Sequence, residues 1–244
     1  MVAPDKGTHT MRFRFGLPEG YALNLPVGKH ISLKCVDKDG NTVMRQYTPT
    51  TGQETVGYFD LIIKIYPNGV MGNYLKNLPL NNEVEIRGPN GLLEYYGNGK
   101  IEYRPISSSK TAKKTISKIG MIAGGSGITP MLQVASAISH DKSDSTPVSL
   151  IFCNQTEGDI MCRDLLDTLK QSHDQFSLYY VVTRTENTDW KGGVGFVNQE
   201  MIKANLPAPA DDVLIMLCGP PPMIAAMSNH LSEMGYTNDM ITCF

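Results

Sequence analysis

Residues 119–131 read Ile-Gly-Met-Ile-Ala-Gly-Gly-Ser-Gly-Ile-Thr-Pro-Met, and this stretch decides the fold. Its apolar start is typical of a buried strand, the glycines indicate a tight turn, and Pro130 opens a helical stretch. Such glycines let backbone N–H groups approach an anion where a helix begins. No Gly-Lys-Ser/Thr follows, which excludes a P-loop, and Pro130 stands where the Rossmann fingerprint has its third glycine. A dinucleotide pyrophosphate is the favoured ligand, with an ordinary strand-to-helix turn as the alternative.

The same alternation of apolar strand and helix continues through the second half of the chain. Predicted strands are followed by predicted helices at 119–123 and 131–139, 148–153 and 159–171, and 213–218 and 223–234. Alternation of this kind predicts an α/β domain with a parallel sheet.

The first half has a different pattern of short strands separated by turn residues. Strands are predicted at 11–17, 30–36, 58–66 and 83–87, which favours a small antiparallel β-barrel. Residues 101–117 are rich in serine and lysine and show little periodicity, so we place a linker there. The predicted organisation is a barrel domain over 1–100, the linker, and the α/β domain over 118–244.

A second strand-to-helix turn lies at 214–223, Leu-Ile-Met-Leu-Cys-Gly-Pro-Pro-Pro-Met. Cys218 falls at the carboxyl end of its strand, the edge at which open α/β sheets bind ligands. We therefore expect Cys218 and the glycine-rich turn to face one cleft. Taken alone, Cys218 reads more simply as a small buried apolar residue. No neighbouring histidine supplies a base, so nucleophilic catalysis is unsupported.

Two weaker motifs occur in the first half. Residues 45–50, Arg-Gln-Tyr-Thr-Pro-Thr, combine a guanidinium that can grip phosphate with a flat ring for stacking, although a plain edge strand fits equally well. Residues 66–72, Tyr-Pro-Asn-Gly-Val-Met-Gly, precede a short predicted helix at 73–77 and offer further backbone N–H groups to phosphate.

Composition excludes several classes of protein. The 244 residues carry 22 basic and 24 acidic side chains, a formal charge of -2, which lacks the basic excess of a general nucleic-acid binder. Five cysteines without a C-x-x-C pair indicate reduced thiols, and the histidine spacing predicts no metal site. Two uncharged runs, 119–139 and 213–232, are broken by turns that lipid could not satisfy. A soluble protein is expected.

Five motifs occur in order along residues 10–244: R-Q-Y-T-P, I-K-I-Y-P-N-G-V-M-G-N-Y-L, E-I-R-G-P-N-G-L-L, G-G-S-G-I-T-P-M and C-G-P-P-P-M. In this respect the chain resembles the NADH-cytochrome b5 reductases, within the wider group of ferredoxin-NADP reductase-like flavoproteins. The resemblance implies an FAD-binding barrel followed by a nicotinamide-nucleotide domain, with flavin and nicotinamide meeting between the two.

The resemblance also implies roles for individual residues. Arg45 would hold the FAD pyrophosphate, Tyr47 and Thr48 would pack at the isoalloxazine, and Thr129 would reach the flavin from the second domain. Thr48, Lys64 and Cys218 would be the catalytic residues, with Cys218 near the hydride-bearing carbon of the nicotinamide. The complete set of expected cofactor contacts is Arg45, Tyr47, Thr48, Ile62, Ile63, Lys64, Tyr66, Gly69, Val70, Met71, Gly72, Gly124, Gly125, Thr129, Thr183, Arg184, Cys218, Gly219, Pro220 and Met223.

The function implied is an FAD-dependent oxidoreductase. A hydride would pass from NADH to FAD, and single electrons would then pass to cytochrome b5 or a similar acidic haem protein, without an acid–base pair. Two alternatives stay open, the reductase module of a larger chain such as nitrate reductase and a non-catalytic nucleotide-binding redox sensor. We expect a monomer on the cytoplasmic side, attached to a membrane only through a segment outside this sequence.

The chain departs from the family pattern in three places, and one charged segment also stands out. Gly69-Val-Met-Gly72 replaces the common Gly-Lys-Met-Ser, which predicts weaker FAD binding. Thr183 and Arg184 follow the strand at 176–182, where NADH-using relatives usually have an acidic residue. Either Thr183 merely ends the strand and Arg184 is solvated, or coenzyme specificity is relaxed and NADPH is also accepted. The first barrel strand of relatives has no counterpart unless residues 1–10 replace it. Six basic residues against one acidic over 100–118 form either a docking patch for an acidic haem protein or a solvated linker.

Overall fold

A computed structural model describes residues 9–244 of the chain. In the first half, antiparallel strands form two sheets that enclose a common apolar core. The strands are β1 (Thr10–Gly16) paired with β4 (Tyr58–Lys64), and β3 (Thr42–Tyr47), β2 (His30–Val36) and β5 (Glu85–Asn90) paired in that order. The helix α1 (Val70–Asn77) follows β4 and buries Met71 and Leu75 in the same core.

Alternation of side chains along β1 and β4 builds this core. Phe13, Phe59 and Leu61 are buried, and the rings of Phe15 and Phe59 stack with their centroids 5.1 Å apart. Intervening residues such as Arg12 and Arg14 face outward, as the two-residue period of a strand requires.

The second half is a six-stranded parallel sheet in the order β12-β11-β10-β9-β13-β14. Its strands are β9 (Lys118–Gly124), β10 (Val148–Asn154), β11 (Phe176–Val182), β12 (Gly193–Val194), β13 (Val213–Cys218) and β14 (Ile241–Cys243). Its helices are α2 (Ile128–His140), α3 (Arg163–Ser172), α4 (Gln199–Asn205) and α5 (Pro221–Glu233). The helices α2 and α3 cover one face, and α4 and α5 the other. Because both faces are buried, the strands are almost continuously apolar. The predicted fold class, an antiparallel barrel domain followed by a parallel α/β domain, is confirmed.

The segment predicted as an irregular linker contains regular structure. The strands β6 (Glu94–Gly97), β7 (Lys100–Tyr103) and β8 (Ala112–Thr115) form a three-stranded antiparallel sheet. Tyr95, Ile101 and Tyr103 are buried and join the core of the α/β half. The secondary structure expected over 101–117 was therefore wrong, because four-residue strands among lysines and serines carry too little periodicity to recognise. The domain boundaries themselves stay predictions.

The barrel is open beside β1. Within residues 9–244, β1 pairs only with β4 and β5 pairs only with β2, so β1 and β5 are not hydrogen-bonded to each other. Residues 13–17 and Ile86 of β5 line a cavity of about 610 Å³. Residues 1–10, which were considered as a replacement for the first barrel strand of relatives, lie almost wholly outside the described residues. Within residues 9–244, every helix is too short or too polar to cross a bilayer.

A buried polar network fixes the β6–β8 sheet to the α/β half. The Tyr95 hydroxyl donates to Asp144 Oδ2 at 2.5 Å and accepts from the backbone N–H of Gly99 at 2.9 Å. The backbone N–H of Asn98 donates to the same carboxylate at 2.8 Å. Burial opposes the ionisation of Asp144, but hydrogen bonds from Tyr95 and Thr146 outweigh it and hold its pKa below the ordinary value.

We expect Tyr95→Phe to lower the free energy of unfolding by about 1.5–3 kcal/mol, because it leaves a buried carboxylate short of a donor. Urea unfolding followed by circular dichroism measures this change. The control is Tyr96→Phe, whose exposed hydroxyl contacts Glu102 at 3.3 Å and should change stability by less than about 0.5 kcal/mol. Equal losses in the two variants would contradict the assignment.

Candidate active site

Two turns meet at the carboxyl edge of the parallel sheet. Cys218 ends β13 directly beside Ala123 of β9, so the turn after each strand leaves the same edge. A Cβ added at Gly127 would lie 2.2 Å from the Cys218 carbonyl oxygen, and one added at Gly124 would lie 2.6 Å from Met223 Sδ. The structure thus brings the glycine-rich turn and the 218–223 turn together, and glycine is required at position 127 because backbone packs against backbone there.

The glycine-rich turn leaves backbone donors available at the start of α2. One turn of 3-10 helix, Gly125–Gly127, leads into the helix, with no acidic side chain in its first turn. Gly125 has a φ of +53° and open space where a side chain would be. These features fit a pyrophosphate at a helix N-terminus. The Thr129 hydroxyl, expected to reach a flavin, donates to the Ser126 carbonyl at 3.2 Å.

Cys218 presents a neutral thiol at this edge. Burial, and to a lesser degree the nearby Cys243, raises the pKa of Cys218 to about 12. A thiol with this pKa stays protonated at neutral pH and is a poor nucleophile. The arrangement therefore suits packing against a bound ring better than covalent catalysis.

Asn154 is a site residue that the sequence analysis missed. Asn154 is the last residue of β10, and the residue before it, Cys153, lies beside Gly124 of β9. The side-chain amide is buried, and neither its nitrogen nor its oxygen has a hydrogen-bond partner within residues 9–244. An unsatisfied buried amide is costly, which makes Asn154 a candidate for pairing with a ligand group. A polar residue closing an apolar strand was the available signal.

On the barrel side, β3 and the residue after it carry the expected flavin contacts. Tyr47 is half-buried, and burial raises its pKa to about 12 although Arg45 opposes the shift. Arg45 is exposed, and one of its nitrogens donates to the Met44 carbonyl at 2.8 Å. It has no carboxylate partner in the described part of the chain. Thr48 follows in a buried position. A guanidinium without a carboxylate partner, two residues from an aromatic ring, fits FAD. The guanidinium would bind the pyrophosphate, and the aromatic ring would pack against the flavin ring system.

The strand β4 supplies the wall toward the second domain. Ile62 packs against the core of the α/β half, and Lys64 Nζ lies 3.0 Å from Asp159 Oδ1. Ile63 points the other way into the barrel core, so it can contact a cofactor only through its backbone. Tyr66, just beyond the strand, is exposed.

The turn at 66–72 is held by Asn73. Its side-chain nitrogen donates to the carbonyls of Tyr66, Pro67 and Gly69 at 2.8–3.1 Å. The helix α1 begins at Val70, three residues earlier than predicted, and its N-cap Gly69 provides no side-chain cap. Its first backbone N–H groups are therefore available to an anion.

The early start of α1 changes the interpretation of the Gly-Val-Met-Gly segment. Val70 is exposed, whereas Met71 lies in the barrel core. A Cβ added at Gly72 would lie 3.2 Å from Ile65 Cδ1, so a serine there would crowd the core. Lysine at position 70 is consequently the cleaner way to restore the family pattern.

Thr183 and Arg184 lie in a loop beside the one that follows β10. Their backbone N–H groups donate to the carbonyls of Asn154 and Gln155 at 2.9 and 3.1 Å. The Arg184 side chain is exposed. No group of three or more potential metal ligands occurs among residues 9–244.

We expect Gly127→Ala to weaken NAD⁺ binding at least about tenfold, because the added methyl would force the Cys218 backbone away. Isothermal titration of the purified protein with NAD⁺ measures the effect. The control Gly124→Ala meets the movable end of Met223 and should cost clearly less. The assignment would be wrong if the two variants bound NAD⁺ equally well.

Comparison with known proteins agrees with this geometry. Residues 5–95 match the model of the oxidoreductase FAD-binding domain, and residues 121–229 match that of the oxidoreductase NAD-binding domain. NADH-cytochrome b5 reductase 2 of Xenopus laevis is 44% identical over 93% of this chain and 80% of its own length. NADH-cytochrome b5 reductase 1 of Homo sapiens is 45% identical over 97% of this chain and 82% of its own length.

A solved structure gives the same result. The cytochrome b5 reductase domain of Ulva prolifera nitrate reductase is 35% identical, with a TM-score of 0.87 over 97% of this chain and 92% of that domain. The FAD-binding barrel and the NAD-binding sheet thus occur together with clear sequence identity to these proteins along nearly the whole chain. The chain belongs to the NADH-cytochrome b5 reductase family.

Proposed function

We propose that this flavoprotein oxidoreductase carries electrons from NADH, through bound FAD, to cytochrome b5 or a similar acidic haem protein. The observation that carries the proposal is the contact between the glycine-rich turn and the Cys218 turn at the sheet edge that faces Ile62 and Lys64. FAD, when bound, accepts a hydride from a reduced nicotinamide and releases electrons singly.

The residues of the chain bind and align the two cofactors. Arg45 and the start of α1 would hold the FAD pyrophosphate, and Tyr47 would offer its ring to the flavin. Gly124, Gly125 and the 218–223 turn would hold the nicotinamide nucleotide. The neutral thiol of Cys218 would pack at the ring without taking a proton. Hydride transfer depends on distance and alignment, so holding the reactants in place supplies most of the rate enhancement.

The lysine-rich segment at 100–118 is a poor candidate for the docking site of the acceptor, because it lies far from the cleft. Lys118 begins β9 and Gly124 ends it, so they are separated by roughly 20 Å at about 3.3 Å per residue. Two further lysines of the segment are paired, Lys113 with Glu102 at 3.4 Å and Lys114 with Asp239 at 3.3 Å. This arrangement favours a solvated surface over a docking patch.

We expect NADH to drive reduction of both cytochrome b5 and ferricyanide by the purified protein. Lys110→Glu/Lys113→Glu should change the rate with cytochrome b5 by less than about twofold at low salt, because exposed charges far from the cleft contribute little. Stopped-flow spectroscopy with each acceptor measures both rates, and ferricyanide serves as the control. A protein that reduced ferricyanide but never cytochrome b5 would refute the proposed acceptor. A large, salt-dependent loss of the rate with cytochrome b5, without a loss of the rate with ferricyanide, would instead support the docking patch.

A second proposal is that the chain is the reductase module of a larger protein. The match to a domain of nitrate reductase supports it. The sequence of the full-length gene product distinguishes the two. We further propose that the protein acts as a monomer on the cytoplasmic side, and cysteines that form no disulfide within residues 9–244 are consistent with a reducing compartment.

Coenzyme choice is expected to be relaxed, because a threonine and an arginine follow β11 where an acidic residue would repel a ribose phosphate. We predict that kcat/KM for NADH exceeds that for NADPH by less than about a thousandfold, or roughly 4 kcal/mol. Thr183→Asp should raise the ratio at least about tenfold through like-charge repulsion. Steady-state kinetics with both coenzymes provide the test. A wild-type preference above a thousandfold, or an unchanged ratio in the variant, would contradict it.

A further inference from the structure

Lys64 is tied to the opposite domain by an ion pair. Lys64 is the last residue of β4 in the barrel. Its ammonium lies 3.0 Å from the carboxylate of Asp159, which belongs to a turn that follows β10. The two side chains are only 20% and 24% exposed. Among the ion pairs of residues 9–244, this one joins the barrel strands directly to the loops of the parallel sheet. Solvent therefore screens it less than a surface pair.

Asp159 is held in place independently of Lys64. Its Oδ2 accepts from the Thr156 hydroxyl at 2.8 Å and from the Thr156 backbone N–H at 3.2 Å, while Oδ1 faces Lys64. Burial opposes its ionisation, but these hydrogen bonds and Lys64 keep the pKa of Asp159 below its usual range. The carboxylate is consequently a fixed negative charge beside the cleft.

Charged contacts between the two halves also occur at Asp144 and Asp239, but these residues precede β10 and β14 and so lie at the amino edge of the sheet. The Gln133 side chain of α2 accepts from the backbone N–H of Gly28 at 2.8 Å and donates to the Lys29 carbonyl at 3.2 Å. The β6–β8 sheet is fastened by buried apolar side chains. Lys64, by contrast, meets the turn that follows β10, and β10 lies directly beside β9 and its glycine-rich turn, so this ammonium is at the edge where a coenzyme would bind.

We propose that Asp159 is a positioning residue that holds Lys64 in the free enzyme and limits coenzyme affinity, because an arriving dinucleotide pyrophosphate must compete with its carboxylate for the Lys64 ammonium. This inference rests on the proposed function. Two negative groups then share one cation, so binding is weaker than Lys64 alone would give. Weaker binding of the oxidised coenzyme favours its release after hydride transfer.

Asp159→Asn tests the proposal, since asparagine still accepts from Thr156 through its oxygen but carries no charge. We expect NAD⁺ to bind the FAD-loaded variant about three- to tenfold more tightly than wild type in isothermal titration. A merely structural aspartate would give the opposite result on removal, weaker binding together with lower stability in urea. Asp164→Asn, an equal charge change at an exposed position on α3, should leave the dissociation constant within about twofold.

A double-mutant cycle shows whether the effect acts through Lys64. Lys64→Met should weaken NAD⁺ binding, and Asp159→Asn should then give no further tightening in that background. Unchanged or weaker binding by Asp159→Asn, or equal tightening with and without Lys64, would overturn the inference. Wild type that binds no NAD⁺ and is not reduced by NADH would instead overturn the proposed function, so the two failures are distinguishable.

Discussion

The cofactor cleft depends on how closely two turns of the parallel sheet approach each other. The turn after β9 packs against the turn after β13 with Gly127 facing the Cys218 carbonyl, at a distance that leaves no room for a methyl group. That contact fixes the position of Cys218 relative to the donors at the start of α2. A cleft formed in this way is set by backbone, which does not change rotamer, and so presents the same geometry in each catalytic cycle.

The barrel is attached to this sheet by contacts of two physical kinds. On the β6–β8 side, buried tyrosines and isoleucines merge with the α/β core, and the hydrogen bond between Tyr95 and Asp144 is buried. At the cleft itself the tie is the ion pair between Lys64 and Asp159. An incoming anion does not change the free energy of apolar burial, whereas it competes directly for the cation of an ion pair. The molecule is thus fixed where the domains join and responsive where coenzyme enters.

Sequence alone was sufficient for the features that local chemistry determines. The strands at 30–36 and 213–218 were placed without error, because strand-forming residues between turn residues leave little ambiguity. Cys218 and the glycine-rich turn could be assigned to one edge, because parallel strands share it. The β6–β8 sheet could not be found, because its strands are four residues long and exposed lysines alternate with its buried side chains.

What stayed hidden from the sequence were the partnerships formed by tertiary structure. Lys64 was assigned to a cofactor from its motif, but its partner Asp159 lies 95 residues away in a turn whose Thr-x-x-Asp capping box indicates a helix start and not a contact with the barrel. Asn154 was passed over because orphaned polar atoms become visible only after packing. Both residues flank the cleft and neither is part of the family's glycine or proline motifs. Motifs therefore identify the cofactors, while the residues that tune their affinity are determined by packing between domains. Because the cofactors supply the redox chemistry, such tuning through charge and distance is the main means left to the protein for adjusting turnover.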